Sequence, residues 1–311
     1  TWYHATGPAA PARPALAGTV RTRVCVVGGG LCGVSTALHL AERGIDTVLL
    51  ESETIGHGAS GRNGGQIVQG FSASMDRVEA SVGRADAQTV WDMGCEAIAD
   101  IPARVERHGI DCDLRWGYLI AALNRRQLDD LRETAGEWAG YGYTGPSIVE
   151  GSAVRSVLAT DLYVGGMLEP GSGQLHPLAY LLGLAGAAEA PVGLKGWLAR
   201  RYRRVFPELT DVAVEYAWGG LIGITHNRIP DLGRVKPNVL YAQGFSGQGV
   251  ALTGLAGKLM AETVAGDDSR FRLIERVRHL PFPGGILRTP TLVAATGQPY
   301  RPSLSFSLST P

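Results

Sequence analysis

Residues 23–51 read RVCVVGGGLCGVSTALHLAERGIDTVLLE: an apolar run, a glycine turn, a helical pattern and a second apolar run. The first run, VCVV, predicts a buried parallel strand. Gly28, Gly30 and Gly33 follow in the spacing G-x-G-x-x-G. Leu31, Val34, Leu38 and Ala41 share one face of the helix after it, and Gly44 is placed to end that helix as a C′ glycine. The second run, 47–50, stops at Glu51.

Each part has a mechanical reason. Gly28 permits a tight turn out of the strand, Gly30 lets a pyrophosphate approach the backbone, and Gly33 lets the helix pack on the strand. The helix start offers free N–H groups and a partial positive charge to that pyrophosphate. Glu51 can accept hydrogen bonds from the ribose hydroxyls of an adenosine. A tight turn without a ligand is the plain alternative, but strand, helix, second strand and acid all fall in place. The stretch does not separate FAD from NAD, because both present the same ADP half.

The 311 residues suit one large or two medium domains. Lys+Arg and Asp+Glu both total 29, so the net charge of zero argues against a nucleic-acid or anionic-membrane surface. The 43 glycines cluster in loops, as expected where backbone must approach a ligand. Cys25, Cys32, Cys95 and Cys112 form no C-x-x-C pair and no zinc-ligand spacing, which predicts free thiols, a reducing, cytoplasmic compartment and no metal. The first residues carry no basic and apolar signal-peptide pattern, and no run of about 18 apolar residues would span a membrane.

Residues 1–20, rich in Pro and Ala, read as an arm anchored by Trp2 and Tyr3. Residues 52–70, SETIGHGASGRNGGQIVQG, read either as a flexible linker or as a loop whose backbone N–H groups line a flat polar ring. A helix is expected over 75–110, a strand over 115–123, a helix over 125–138, a short helix over 152–160 and a strand over 164–168. A helix beginning at Pro177 as its first residue follows. Beyond 190 the pattern predicts a helix over 194–205, a strand over 212–218 and a buried strand over 238–243. GFSGQGV then turns into a helix capped by Gly266, and the tail after Gly284 reads as loosely ordered.

These blocks in order resemble the D-amino-acid-oxidase-like FAD-dependent oxidoreductases, and within them the branch around gamma-glutamylputrescine oxidase. IGHGASGRNGGQ at 55–66, GGMLEPGSGQLHPLAYLLGLA at 165–185, WGGLIGITHNRIPDLG at 218–233 and YAQGFSGQGVALTGLAGKLMAE at 241–262 carry the resemblance with the first glycine turn. It implies a Rossmann-like, doubly wound α/β FAD-binding domain over 1–74, 151–190 and 228–311. An α+β substrate domain would take 75–150 and 191–227. It implies FAD as cofactor, with Gly28, Gly30, Gly33 and Glu51 holding the ADP half. Ser60, Arg62, Asn63, Gly64, Gly65 and Gln66 would run beside the isoalloxazine. The turn of Gly244, Ser246, Gly247, Gln248, Gly249 and Val250 would aim a helix N-terminus at the flavin N1–C2 carbonyl. A helix end there would stabilise the anion of the reduced ring by about 0.3–2 kcal/mol.

The implied activity is oxidation of the C–N bond of a small amine or amino acid. Hydride passes to flavin N5, the imine hydrolyses, and an oxidase is expected rather than a dehydrogenase. Such chemistry asks for positioning and desolvation more than for a triad. His226 and Gln248 are the catalytic candidates, each with a plain turn role as alternative. Ser246 too could be a turn residue, His57 and His176 read as structural, and Trp116 with Tyr118, which share one strand face, as core residues with a pocket wall as second reading. The Arg200–Arg204 cluster reads as a solvated helix face. A side chain at Gly249 is expected to intrude on the flavin and strain the backbone. One departure stands out: a strand and most of a substrate sheet, on the order of a hundred residues, are absent between Ala190 and Pro191. Either the sequence skips a segment the protein carries, or the protein has lost it. The competing reading is a catalytically silent flavin-fold binding protein or scaffold. A homo-oligomer is compatible with either.

Overall fold

The structure, a computed structural model, describes residues 1–8, 16, 19–185, 218, 220 and 222–280. The expected helix at 194–205, the arginine cluster, the strand at 212–218 apart from Trp218, the 190/191 junction and the tail lie outside the described residues. The chain opens with a short helix, Trp2–Thr6 (α1). Val24–Val27 (β1) and Thr47–Leu50 (β2) then pair in parallel, Val24 opposite Thr47 and Val27 opposite Leu50.

Between them runs Leu31–Glu42 (α2), which ends as its sequence demands. Gly44 takes φ 65°, its N–H reaches Ala41 O at 2.9 Å, and Ile45 N–H returns to Leu40 O at 2.9 Å. This pairing satisfies the last carbonyls of the helix. The expectation that β1 is buried fails in part. Val26 packs with Leu40, Ile45 and Ala261, but Cys25 is exposed and Val27 is 83% exposed. A parallel strand is buried on both faces only when both carry cover. Among the described residues, cover stands on the Val26 face alone.

The glycine-rich stretch after Glu51 is built rather than slack. It holds a 3₁₀ turn, Ala59–Gly61, and a two-residue strand, Gln66–Ile67 (β3). The helix expected over 75–110 is two helices, Met75–Val82 (α3) and Arg84–His108 (α4). Gly83, at φ 87°, makes the break, a conformation closed to most side chains.

Arg115–Ala122 (β4), Arg125–Gly140 (α5), Ser147–Glu150 (β5), Ser152–Arg155 (α6), Gly165–Gln174 (β6) and Pro177–Ala185 (α7) follow. The strand β6 runs past the expected Leu168 to Gln174, and α6 stops short of the expected 160. Strands β3, β4 and β5 all pair antiparallel with β6. Register slips between Trp116 and Tyr118, where Gly117 takes φ 98°. A bulge of this kind breaks the two-residue alternation, so the two aromatics are not core partners on one face. Trp116 is 44% exposed, and the Tyr118 hydroxyl accepts from Gln66 Nε2.

Asp231–Lys236 (β7) and Val239–Gln243 (β8) form an antiparallel hairpin. The strand read as buried is half-exposed instead, with Val239 43% exposed, because its one described strand partner is β7. Gly249–Ala265 (α8) and Ser269–Glu275 (α9) complete the described chain. α8 lies close on α2: a Cβ at Gly257 would press on Thr36 N at 2.6 Å, and Ser35 Oγ donates to Gly254 O at 2.8 Å. Lys258 ties α8 to Asp100 of α4 at 2.9 Å. Among the described residues no helix is long and apolar enough to cross a membrane, no three His, Cys, Asp or Glu groups gather to hold a metal ion, and all four cysteines are free.

Candidate functional site

The first glycine turn is tight for two reasons. Gly28 has φ 109°, and a Cβ on Gly33 would collide with the Gly28 carbonyl oxygen. Gly30 caps α2 without a side chain, and a Cβ there would meet Ser60 Oγ at 2.8 Å. Ser60 Oγ accepts from Leu31 N at 2.9 Å, so it already engages the helix start. Glu51 Oε2 accepts from Gly29 N at 2.6 Å, and Oε1 accepts from Glu53 N at 3.0 Å. Burial acts to raise the Glu51 pKa, but bonds from Glu53, Gly29 and Ser52 outweigh it and hold the carboxyl below its usual range. An anion therefore stands at the mouth of a cavity of about 390 Å³, lined by Gly30, Glu51, Gly56, His57, Gly58 and Ser60. That volume is within the usual size of small-ligand pockets. His57, read as structural, is exposed on the cavity wall.

The 57–66 loop holds its shape through its own side chains. Arg62 Nε donates to His57 O at 2.7 Å. Asn63 Nδ2 donates to Ser60 O at 2.9 Å while Oδ1 accepts from Gly65 N at 2.8 Å. Asn63 is thus spent on the turn. Gly64 is half-buried, and Gly65 at φ 69° lies so close to the Leu175 carbonyl that no Cβ would fit. Gln66 reaches across the sheet to Tyr118.

The second glycine turn has Gly244, Ser246 and Gly247 at φ 69°, 53° and 98°. Ser246 Oγ accepts from Thr225 N at 3.3 Å and donates to Gly244 O at 3.1 Å, so its side chain builds the turn. Val250 is buried, leaving only its backbone to face a ligand. The strain expected at Gly249 belongs elsewhere: its φ is ordinary, and an added Cβ would touch Thr253 and Phe245 at 3.8 and 3.9 Å. Gln248 caps α8, and its Oε1 is buried with no hydrogen-bond partner. His226 lies exposed in the turn beside Arg228, and among the described residues nothing bonds to its ring.

Described residues of one sequence block touch both halves. Trp218 Nε1 donates to Arg62 O at 3.0 Å, and a Cβ on Gly220 would stand 3.6 Å from Arg62 Cβ. Farther along, Ser246 N donates to Gly223 O at 2.9 Å, and Ile224 bridges Phe245. Trp218 and Gly220 therefore stand against the 57–66 loop, and Gly223 and Ile224 against the 244–250 turn. Sequence reasoning missed Trp218 and Thr225 as parts of this arrangement. The W-G-G that opens its block was the available signal, since glycines beside a tryptophan mark close backbone approach.

The family model for FAD dependent oxidoreductases of the DAO type matches residues 23–193 and 190–263. The gamma-glutamylputrescine oxidoreductase of Escherichia coli is 31% identical over 380 residues, covering 86% of this chain and 89% of the relative. A probable oxidoreductase, OrdL, of Haemophilus influenzae is 30% identical over 375 residues, covering 84% and 87%. An alignment of 380 residues that takes in 86% of a 311-residue chain leaves on the order of a hundred positions with no residue here, and the family match divides at 190–193. Among solved structures, the glycine oxidase of Geobacillus kaustophilus superposes with a TM-score of 0.65 at 19% identity, covering 85% of this chain and all of the other. The L-amino acid deaminase of Proteus vulgaris gives 0.65 at 16%, covering 84% and 96%. These two share the fold. The split match and the two glycine turns it spans lead to one conclusion: this chain belongs to the DAO family of FAD-dependent oxidoreductases.

Proposed function

We propose that this chain oxidises the C–N bond of a small amine or amino acid, with the ADP half of FAD held beside Glu51 and the flavin ring held by the 57–66 loop and the 244–250 turn. The observation that carries the reading is that described residues of one sequence block touch both sites: Trp218 donates to Arg62 O of the loop, and Ile224 bridges Phe245 of the turn. The residues fit the cofactor. The glycine cradle has no room for a Cβ at Gly33 or Gly65, a 390 Å³ cavity adjoins the α2 start, and Gln248 Oε1 lacks a donor. Bound there, FAD supplies the acceptor for the hydride leaving the carbon next to nitrogen.

The chain's own groups do the rest. Glu51 would accept from the ribose hydroxyls, and the first-turn N–H groups of α2 beyond Leu31, whose own N–H goes to Ser60 Oγ, would meet the diphosphate. The start of α8 sets a partial positive charge where the ring gains negative charge, worth about 0.3–2 kcal/mol. Gln248 Oε1 offers an acceptor to an N–H of substrate or cofactor. The name of the Escherichia coli relative supports an amine as substrate, and oxygen as electron acceptor is part of the reading. So are a discontinuous FAD domain enclosing the 75–150 segment, and a cytoplasmic site of action for four free thiols.

Spectroscopy of the purified protein tests this. Flavin bands that bleach when an amine is added under argon, with hydrogen peroxide formed under air, are expected. A colourless protein that takes up no added FAD overturns it. The roughly one hundred absent positions and the Val27 face, without cover among the described residues, favour one rival, a silent flavin-fold binding protein. Bound flavin that no amine or amino acid in a broad panel reduces would establish that rival instead.

A further inference from the structure

We propose that α1 is a strap that holds the 57–66 loop in its flavin-facing shape, acting through Trp218 and His176; the inference rests on reading that loop as the flavin contact. A five-residue helix has little reason of its own to be buried, since it gains little from its own hydrogen bonds. Tyr3 is nonetheless 3% exposed. Its ring stands edge-on between two others, 4.8 Å from His176 at 67° and 5.2 Å from Trp218 at 72°. Trp2 adds a third contact, 5.4 Å from His176.

Both of those neighbours lead straight to the loop. On one side the Trp218 indole N–H donates to the Arg62 carbonyl at 3.0 Å, and Arg62 in turn bonds His57 O at 2.7 Å. On the other, Leu175, the neighbour of His176, donates its N–H to Gly65 O at 2.9 Å. The imidazole is fixed at both nitrogens. Nδ1 accepts from Ala179 N at 3.0 Å, which assigns the ring hydrogen to Nε2. Nε2 then donates to Thr6 Oγ1 at 3.2 Å, and the Thr6 hydroxyl passes its own hydrogen to Trp2 O at 2.9 Å. Every donor in that chain has one acceptor. Burial lowers the His176 pKa, which keeps the ring neutral and Nδ1 free to accept.

The loop is thus gripped at Arg62 and at Gly65, and the two grips meet on Tyr3. An indole N–H can bond water as well as a carbonyl. Here it bonds the backbone of the loop residue that precedes Asn63. Tyr3 and Trp218 are positioning residues by this account.

The test uses the full chain. Trp218→Phe keeps the ring and removes the N–H. Tyr3→Ala removes the wedge, and Tyr3→Phe keeps it. The first readout needs no flavin: the rate at which trypsin cuts after Arg62 in the flavin-free protein. The second is the shape of the visible flavin bands and the rate of FAD loss on dialysis, with the thermal midpoint as a control for folding. Trp218→Phe and Tyr3→Ala should speed cleavage at Arg62 and FAD loss by roughly tenfold, equivalent to about 1.4 kcal/mol of lost restraint, and shift the flavin bands. Tyr3→Phe should match the parent. Parental cleavage and parental flavin behaviour in both Trp218→Phe and Tyr3→Ala overturn the strap. If Tyr3→Ala fails to fold, Trp218→Phe decides. A parent that binds no FAD refutes the flavin reading of the loop, and the cleavage rates then decide the clamp by themselves.

Discussion

The two glycine turns use the same residue for different reasons. In the first, glycine is demanded by neighbours: a Cβ on Gly33 strikes the Gly28 carbonyl, and one on Gly30 meets Ser60 Oγ at 2.8 Å. In the second, Gly247 has nothing within 4 Å of where a Cβ would stand and is demanded by its φ of 98° alone. Gly249, two residues on, is demanded by neither. Close approach is a matter of packing, and positive φ a matter of one residue's backbone. The two turns should therefore fail differently when altered.

The largest effect is expected at Gly33. Alanine there must push α2 away from β1, since the atom in the way is backbone. Gly33→Ala should cost about 3 kcal/mol or more in urea unfolding and abolish FAD uptake. A variant with parental stability would show that packing does not govern the first turn.

The helix of the first turn also carries a buried histidine. His39 is 4% exposed, and its Nε2 accepts from Arg104 at 2.6 Å. Burial, then Arg104, Lys258 and Arg43, push its pKa down to about 3, against a smaller upward pull from Glu96; Glu42 lies 3.5 Å from the ring. The unfolded chain takes up a proton near pH 6.5 and the folded one near 3, so stability is lost as pH falls through that window. From pH 6.5 to 5 the loss should reach about 1.6 kcal/mol for this group, the slope rising toward about 1.4 kcal/mol per unit as the unfolded imidazole becomes fully protonated. Thermal midpoints that stay level over that range, or that His39→Leu does not flatten, would refute it.

Next in size is the contrast inside the second turn. Gly247→Ala should cost about 1–2 kcal/mol from its left-handed backbone. Gly249→Ala should be neutral or stabilise by up to about 1 kcal/mol, because alanine suits a helix start of ordinary φ. Denaturant unfolding of both variants gives the order, and a reversed order would remove the basis of the comparison.

That contrast marks how far the sequence could be read. The first turn was legible residue by residue, because G-x-G-x-x-G between a strand and a helix fixes which atoms come close. In the second, the sequence located the turn and the helix but assigned strain to Gly249, since GFSGQGV does not say which glycine carries positive φ. The loop at 57–66 stood in the sequence as either a linker or a built loop, and its own hydrogen bonds decide for the second. The uses of Asn63 and Ser60 were not legible, because Asn63 is spent on its own turn and Ser60 on the distant start of α2, backbone partners that composition cannot name. Burial of β1 and β8 was misread for a different reason. Apolar content gives a strand's preference, while burial depends on what the rest of the chain stacks upon it, and Val27 lacks that cover among the described residues.

The smallest differences concern the two side chains singled out for chemistry. Gln248 and His226 both stand at the second turn, and their surroundings are opposite. Gln248 Oε1 is buried without a partner, a state that costs about 1–3 kcal/mol until a donor arrives. His226 is exposed and unbonded among the described residues. Gln248→Leu removes the orphaned acceptor at similar volume, so the flavin-free protein should be as stable as the parent or slightly more so. Its flavin should nevertheless be reduced by substrate roughly tenfold more slowly, the equivalent of about 1.4 kcal/mol. His226→Ala should change stability by less than about 0.5 kcal/mol, as surface substitutions do, and reduction by less than about threefold. Stopped-flow reduction under argon, set beside urea unfolding of the same preparations, measures both. If His226→Ala slows reduction more than Gln248→Leu does, the exposed imidazole reaches the substrate after all, and the buried amide has no part in the reaction.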